Sequence, residues 1–189
     1  MKIAIVKLSA LGDIIHAMVV LQYIKKFNQN IEIDWVVEEQ YSDILTFNND
    51  INRIHVVKLK EAKRKKSIRL LIDNLKTLKQ LGPFDLVIDM QGLIKSAIIA
   101  RLLTSKLLIG FSKNSSRERF ASKFYKKKFS LSYDENVIKR NFELMKFALN
   151  LPFDFNELKN KSPFIFSEKK YKFNKISSKK KNILLIPGA

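Results

Sequence analysis

The sequence predicts an α/β domain built on a parallel sheet with flanking helices, and three observations predict it. Apolar runs stand at residues 3–6, 86–88 (within a strand-length stretch 84–90) and 107–111, and parallel strands buried on both faces read as such runs. A unit of strand, short polar turn with glycine, and helix occurs twice, at residues 2–20 and 84–103. The chain is 189 residues long, enough for one well-filled core.

The chain is organised around the first of these units. The run Ile3-Ala4-Ile5-Val6 empties into Lys7-Leu8-Ser9-Ala10-Leu11-Gly12-Asp13, and a helix is expected from there to about Phe27. Ligands of open α/β sheets sit outside the carboxyl ends of the strands, which puts Ser9, Gly12 and Asp13 where chemistry is expected. Gly12 lets the backbone approach a ligand, and the helix start offers unpaired N–H groups. Asp13 reads in two ways: as a helix cap, or as a general base that takes a proton from a substrate hydroxyl. Neither G-x-G-x-x-G nor G-x-x-x-x-G-K-[ST] occurs, so a dinucleotide fingerprint and a P-loop are both excluded.

Residues 31–37 form the second predicted strand, with Glu38 and Glu39 at its carboxyl end, and residues 54–57 form the third. His55 reads as a strand-edge residue. The run 58–66 is the densest stretch of charge; it is either a solvated helix face or a receptor for phosphate or carboxylate. A helix follows over 68–81 with Leu71, Leu75, Leu78 and Leu81 inward, and Gly82-Pro83 stops it. Strand four (84–90) leads through Gln91-Gly92 into a helix over 93–103; Asp89 and Gln91 are helix caps or ligand contacts. Strand five is 107–111, followed by a polar loop, a cationic and aromatic short helix over 117–125, and an amphipathic helix over 136–149. Residues 151–181 have the composition of a linker with one short strand at 164–166. A fresh apolar strand begins at 182, which predicts the start of a second domain at 182–189 after a first domain over 1–150.

Composition narrows the chemistry. Cysteine is absent, so disulfides, thiolate ligation and thiol catalysis are excluded. The two histidines, His16 and His55, make a zinc site an unfavourable expectation. Met1-Lys2 runs directly into a strand, and no apolar stretch reaches the ~18 residues of a membrane span, so a cytoplasmic protein is expected. Lys and Arg number 36 against 18 Asp and Glu, a formal charge of +18. An anionic partner is implied: nucleic acid, an anionic membrane surface or a phosphorylated ligand. A lysine-rich proteome would inflate Lys everywhere and leave part of that excess without meaning.

Five local stretches carry a resemblance. They are 6–13 followed by His16; Asp34-Trp35-Val36-Val37-Glu38-Glu39; the basic run 60–64; Asp89-Met90-Gln91-Gly92-Leu93 with Lys95-Ser96; and Arg117-Glu118 with Ala121-Ser122 and Phe124-Tyr125. In this order on a βα pattern they resemble family 9 of the glycosyltransferases, the heptosyltransferases, over essentially the first 150 residues. The segment 34–39 favours the enzyme that adds the first heptose over the one that extends the core.

The resemblance implies a GT-B enzyme of two Rossmann-like domains, of which this chain holds the N-terminal acceptor domain and the opening of the C-terminal donor domain. It implies inverting transfer of L-glycero-D-manno-heptose from ADP-heptose to Kdo-lipid A in lipopolysaccharide inner-core synthesis, with no cofactor and no obligatory metal. The place implied is the cytoplasmic face of the inner membrane, with the enzyme bound peripherally to that anionic surface. Asp13 matches the catalytic base; Lys60, Lys63, Arg64 and Arg117 match residues that meet acceptor phosphate and Kdo carboxylates. Ser9, Gly12, Glu39, Gln91 and Gly92 are further acceptor-side candidates, and Gly188 belongs to the donor side. Two departures stand out: Asn136 where the family usually shows His ahead of Arg140, and Glu61-Ala62 interrupting the basic run. Two alternatives remain at this level: a family 9 enzyme with another acceptor, and a basic Rossmann-like module binding nucleic acid, for which no recognised motif is present.

Overall fold

The computed structural model describes residues 1–168. Six strands form one sheet in which every pairing is parallel: β1 (Lys2–Val6), β2 (Glu32–Glu38), β3 (Arg53–Val57), β4 (Phe84–Asp89), β5 (Ser105–Phe111) and β6 (Lys127–Phe129), in the order β3-β2-β1-β4-β5-β6. The order reverses direction between β1 and β4. The crevice at such a switch point is where doubly wound sheets bind ligands. The sheet has one strand more than the sequence predicts, because β6 is a three-residue edge strand of sequence Lys-Lys-Phe that carries no apolar run to announce it.

Alternation along the central strands sends side chains into two cores. Ile3, Ile5, Ile33 and Trp35 face the layer of α1 (Leu11–Met18), α2 (Leu21–Phe27) and α6 (Val137–Leu149). Ala4, Val6, Val36 and Val87 face the layer of α3 (Leu59–Arg64), α4 (Ile68–Lys79), α5 (Ile94–Leu102) and a 3-10 turn, Arg119–Phe124. Both layers exclude water from the middles of the strands, which is why Ile3–Val6 of β1 and Leu86–Ile88 of β4 are wholly apolar, with Lys2 and Asp85 at the amino edge.

Several elements differ from their sequence expectation. The first helix is two: at Val19 and Val20 the ladder tightens to Val20 N to Ala17 O and Tyr23 N to Val20 O bonds, and both valines are buried at the bend. Leu71 of α4 is exposed rather than inward, while Leu78 is buried and Leu75 packs on the second core. Residues 164–166 are not a strand; the element in that region is a 3-10 turn, Phe155–Asn160. Phe153, Phe155, Leu158 and Phe164 lie against the first core, so the described part of the expected linker is packed on this domain. The strand expected over 182–186, and Gly188, lie outside the described residues.

Gly110 in β5 faces the buried ring of Tyr125, and a Cβ there would stand 2.5 Å from ring carbons. That ring cannot retreat, since its hydroxyl donates to Asp89. Gly110→Ala is therefore expected to cost about 1–3 kcal/mol of overpacking. A urea melt with an unchanged slope and a lowered midpoint would show it.

Candidate functional site

The carboxyl edge of the sheet is held by one buried carboxylate. Asp89, wholly buried at the end of β4, accepts hydrogen bonds from Gln91 N (2.8 Å), Gly92 N (3.3 Å), Ser96 Oγ (2.8 Å) and Tyr125 Oη (2.8 Å). Burial pushes its carboxyl up and these donors pull it down; the Tyr125 hydroxyl is driven up by burial and by the Asp89 charge. Gly92 takes φ +70°, a conformation natural to glycine, and so lets the chain turn into α5.

Gln91 then clamps the first loop. Its Oε1 accepts from Leu8 N (2.7 Å) and Ser9 N (3.1 Å), and its Nε2 donates to Ser9 O (2.6 Å) and Ser9 Oγ (3.2 Å). The Ser9–Ala10 peptide within this loop is cis. Ser9 is thus occupied in loop structure. Gly12 has open space on its Cβ side.

Asp13 is not the N-cap of α1. Ala10 holds that place, and the Asp13 carboxylate, one turn into the helix, accepts a long 3.4 Å bond from Ala10 N. The Ala10 methyl has no oxygen to return the bond, so only half of a capping box exists. The Asp13 side chain faces a cleft of about 250 Å³ with Lys7, Gln91, Arg117, Arg140 and Asn141. The cleft opens between the β1 and β4 turns and the start of α6, at the switch point.

Three of these residues were not among the sequence candidates. Lys7 is 5% exposed and donates from Nζ to Met90 O at 3.0 Å. Arg140 is clasped between the rings of Phe111 (4.8 Å) and Tyr133 (4.5 Å) and donates to Ser115 O. Its Nε and the Nδ2 of Asn141, which is 2% exposed, are buried without a partner among the described residues. The available signals were a lysine closing an apolar strand and an asparagine on the buried face of an amphipathic helix. Asn136, where the resembling family shows His, caps α6 through Oδ1, which accepts from Ile138 N (2.9 Å) and Lys139 N (3.3 Å).

The remaining candidates are not gathered in this cleft. Glu39 lies in a second recess, about 410 Å³, with Glu38, Gln40, Lys60, Glu61 and Arg64; it follows β2, two strands along the sheet from β4. Glu39 binds Lys58 at 2.7 Å and Glu61 binds Lys65 at 2.6 Å. Glu38, its carboxyl pushed up by burial, accepts from Lys60 N at 2.7 Å. Lys63 points to another side of α3, beside Lys66, Ile68 and Leu71. The expected single anion site of 60–64 with Arg117 is therefore divided among three places. Among the described residues, no ion pair involves Lys60, Lys63, Arg64 or Arg117, and no group of His, Asp or Glu is arranged to hold a metal.

Fold and cleft together define a Rossmann-like domain whose ligand site sets two carboxylates, Asp13 and the Lys139-paired Glu135, among the cations Lys7, Arg117 and Arg140. A family model, glycosyltransferase family 9 (heptosyltransferase), matches residues 74–189. The chain is 42% identical over its whole length to lipopolysaccharide heptosyltransferase 1 of Campylobacter coli, covering 55% of that protein. It is 31% identical to the same-named protein of Pseudomonas aeruginosa, over 80% of this chain and 44% of that one. Among solved structures, E. coli heptosyltransferase WaaC with ADP superposes with a TM-score of 0.72 at 29% identity, over 79% of this chain and 48% of that one. The chain belongs to glycosyltransferase family 9. It spans about half the length of the curated relatives it matches.

Desolvation holds the Lys7 ammonium below its usual range, against the opposing pull of Asp13 and Asp89. The unfolded chain keeps that proton to higher pH than the folded one, so stability rises with pH in the window just below the ordinary value of 10.5. Measured by urea unfolding, the difference between wild type and Lys7→Met is expected to move in favour of wild type from about pH 8 to about pH 10. A difference that is flat across that range would mean Lys7 does not titrate with folding.

Proposed function

We propose that this chain forms the acceptor side of an inverting heptosyltransferase that moves the first L-glycero-D-manno-heptose from ADP-heptose onto Kdo-lipid A. The observation that carries the reading is the 42% identity, over the whole chain, to a lipopolysaccharide heptosyltransferase 1, with a carboxylate standing in the switch-point cleft. In this reading Asp13 is the general base. It takes the proton of the acceptor hydroxyl as that oxygen attacks the anomeric carbon; the bond from that carbon to the ADP oxygen breaks, and ADP leaves with the electron pair. Lys7, Arg117 and Arg140 line the same cleft as the base and favour an anionic acceptor. The ADP-sugar is held by residues beyond the described ones, in the length that the relatives carry and this chain does not match.

The acceptor is lipid-linked and polyanionic, which puts the enzyme peripherally on the cytoplasmic face of the inner membrane. Lys60 and Arg64, which form no ion pair among the described residues, offer a second contact for acceptor phosphate or carboxylate in the separate recess at the β2 end of the same sheet edge. No cofactor enters the scheme.

Asp13→Asn in the enzyme carried to the length of its relatives is expected to cut turnover by about 10²- to 10⁴-fold. Since the Ala10 bond is long, the same change should lower stability by under about 1 kcal/mol. Retained turnover would leave Asp13 as a helix-start residue only. Lys60→Ala with Arg64→Ala should weaken binding of Kdo-lipid A, more at low salt than at high, because exposed charge is screened over about a Debye length. Equal affinity in a vesicle-free binding assay would return those cations to a solvated surface.

A further inference from the structure

The positive charge of this chain is segregated. In the layer that covers the second core, residues 59–79, 94–102 and 117–124 carry thirteen Lys and Arg against three Asp and Glu. The opposite layer, 11–18, 21–27, 39–45, 137–149 and 155–160, carries six against five. A proteome that merely favours lysine would load both layers alike. The cationic layer is also one continuous face: α3 packs on α4, α4 on α5, and α5 on the Arg119–Phe124 turn.

The same face exposes large apolar side chains. Ile68 is 74% exposed, Phe120 54%, and Leu71, Ile72, Ile94 and Ile98 about two-fifths exposed. They are not scattered. Ile68, Leu71 and Ile72 stand in the first half of α4, and Ile94 and Ile98 in the first half of α5. α5 follows β4 directly, and Leu93 just ahead of Ile94 lines the cleft, so the α5 end of the face lies beside it; Ile68 and Leu71 of α4 border a separate recess with Leu59 and Lys63. On α5 they share one side with Lys95 and Arg101, all four being exposed at helical spacing.

We propose that this face, led by Ile68, Ile72, Ile98 and Phe120 within a collar of Lys and Arg, is the surface by which the protein docks on an anionic lipid bilayer. Apolar side chains entering the headgroup boundary and cations pairing with lipid phosphate are the two contributions that interfacial binding requires together. Nucleic acid would use the cations but has no use for a row of exposed isoleucines. The proposal deepens the lipid-linked acceptor reading above, because it sets the cleft at the rim of the membrane contact.

The test uses the chain 1–189 and vesicles of phosphatidylethanolamine with phosphatidylglycerol, free of Kdo-lipid A, so it reads neither donor nor acceptor. Wild type should sediment with these vesicles and not with phosphatidylcholine vesicles. Ile68→Ser with Ile72→Ser should remove the part of binding that survives ~0.5 M salt, where charge attraction is screened within a few ångströms. Arg69→Gln with Lys76→Gln should weaken binding at ~0.1 M salt by on the order of tenfold. Lys26→Gln with Lys159→Gln, on the opposite layer, should change nothing, and circular dichroism melts confirm that each variant is folded. No vesicle binding by wild type would overturn the proposal. So would an equal loss in the opposite-layer variant, or duplex DNA binding insensitive to Ile68 and Ile72 with no vesicle preference. Loss of turnover in Asp13→Asn with no vesicle binding would retain the enzyme and remove the docking face; the reverse would retain the face and remove the enzyme.

Discussion

One buried carboxylate organises the functional edge of this domain. Asp89 sits at the end of the central strand β4 with no exposure to water, and the penalty for that burial is offset only because two backbone amides and two hydroxyls converge on it. Those donors come from three places: the β4 to α5 turn, the first turn of α5, and Tyr125 beyond β5. Satisfying the charge therefore fixes the turn. The fixed turn in turn aims Gln91 at the β1 loop, where its amide uses both ends to hold Leu8 and Ser9. The position of Asp13 relative to Lys7 and Arg117 is a consequence three steps removed from Asp89. Buried polar networks of this kind rigidify a site when every member is satisfied.

The cleft itself is less satisfied than its frame. Arg140 Nε and Asn141 Nδ2 end without partners where Lys7 also brings a desolvated ammonium. Unmet donors at the floor of a pocket are costly in the absence of a ligand. A ligand oxygen would meet them, which agrees with the polyanionic acceptor proposed above. Phe111 and Tyr133 both bring their rings against the Arg140 guanidinium, so little freedom is left to lose when that oxygen arrives.

Five of the six strands, the parallel arrangement and the carboxyl-edge location of the first loop and Gln91 were legible in the sequence, because buried parallel strands and glycine turns write themselves as local patterns. What was not legible depended on contacts far apart in sequence. The edge strand β6 has no apolar run of its own and exists by pairing with β5. The break at Val19-Val20 contains neither Gly nor Pro; burial of both valines decides it. Grouping Glu39 with Asp13 assumed that loops on one edge meet, whereas the width of the sheet keeps the β2 loop apart and Lys58 engages Glu39 there. Asp89 and Gln91 were seen as cap or ligand contacts, and the structure gives both a framing task. Arg140 and Asn141 reach the cleft from α6, about fifty residues downstream of Gln91, a distance over which no spacing rule operates.

The topology also accounts for how the proposed catalytic edge and the proposed lipid-facing surface can share one border. In a parallel sheet every strand delivers its loop to the same edge, and every following helix begins there. Residues in the first turn of α5 are consequently neighbours of the cleft, which Leu93 lines, although they belong to the outer layer. Cations placed there act on whatever approaches the loops, and aliphatic side chains placed beside them cost the fold little because the second core is already filled by Leu78, Ala97 and Ile99. An enzyme whose acceptor has a lipid tail needs its reactive carboxylate close to, but not within, the bilayer boundary. In the proposed docking the exposed isoleucines would mark the depth of contact, while Asp13 faces the cleft on the adjoining edge.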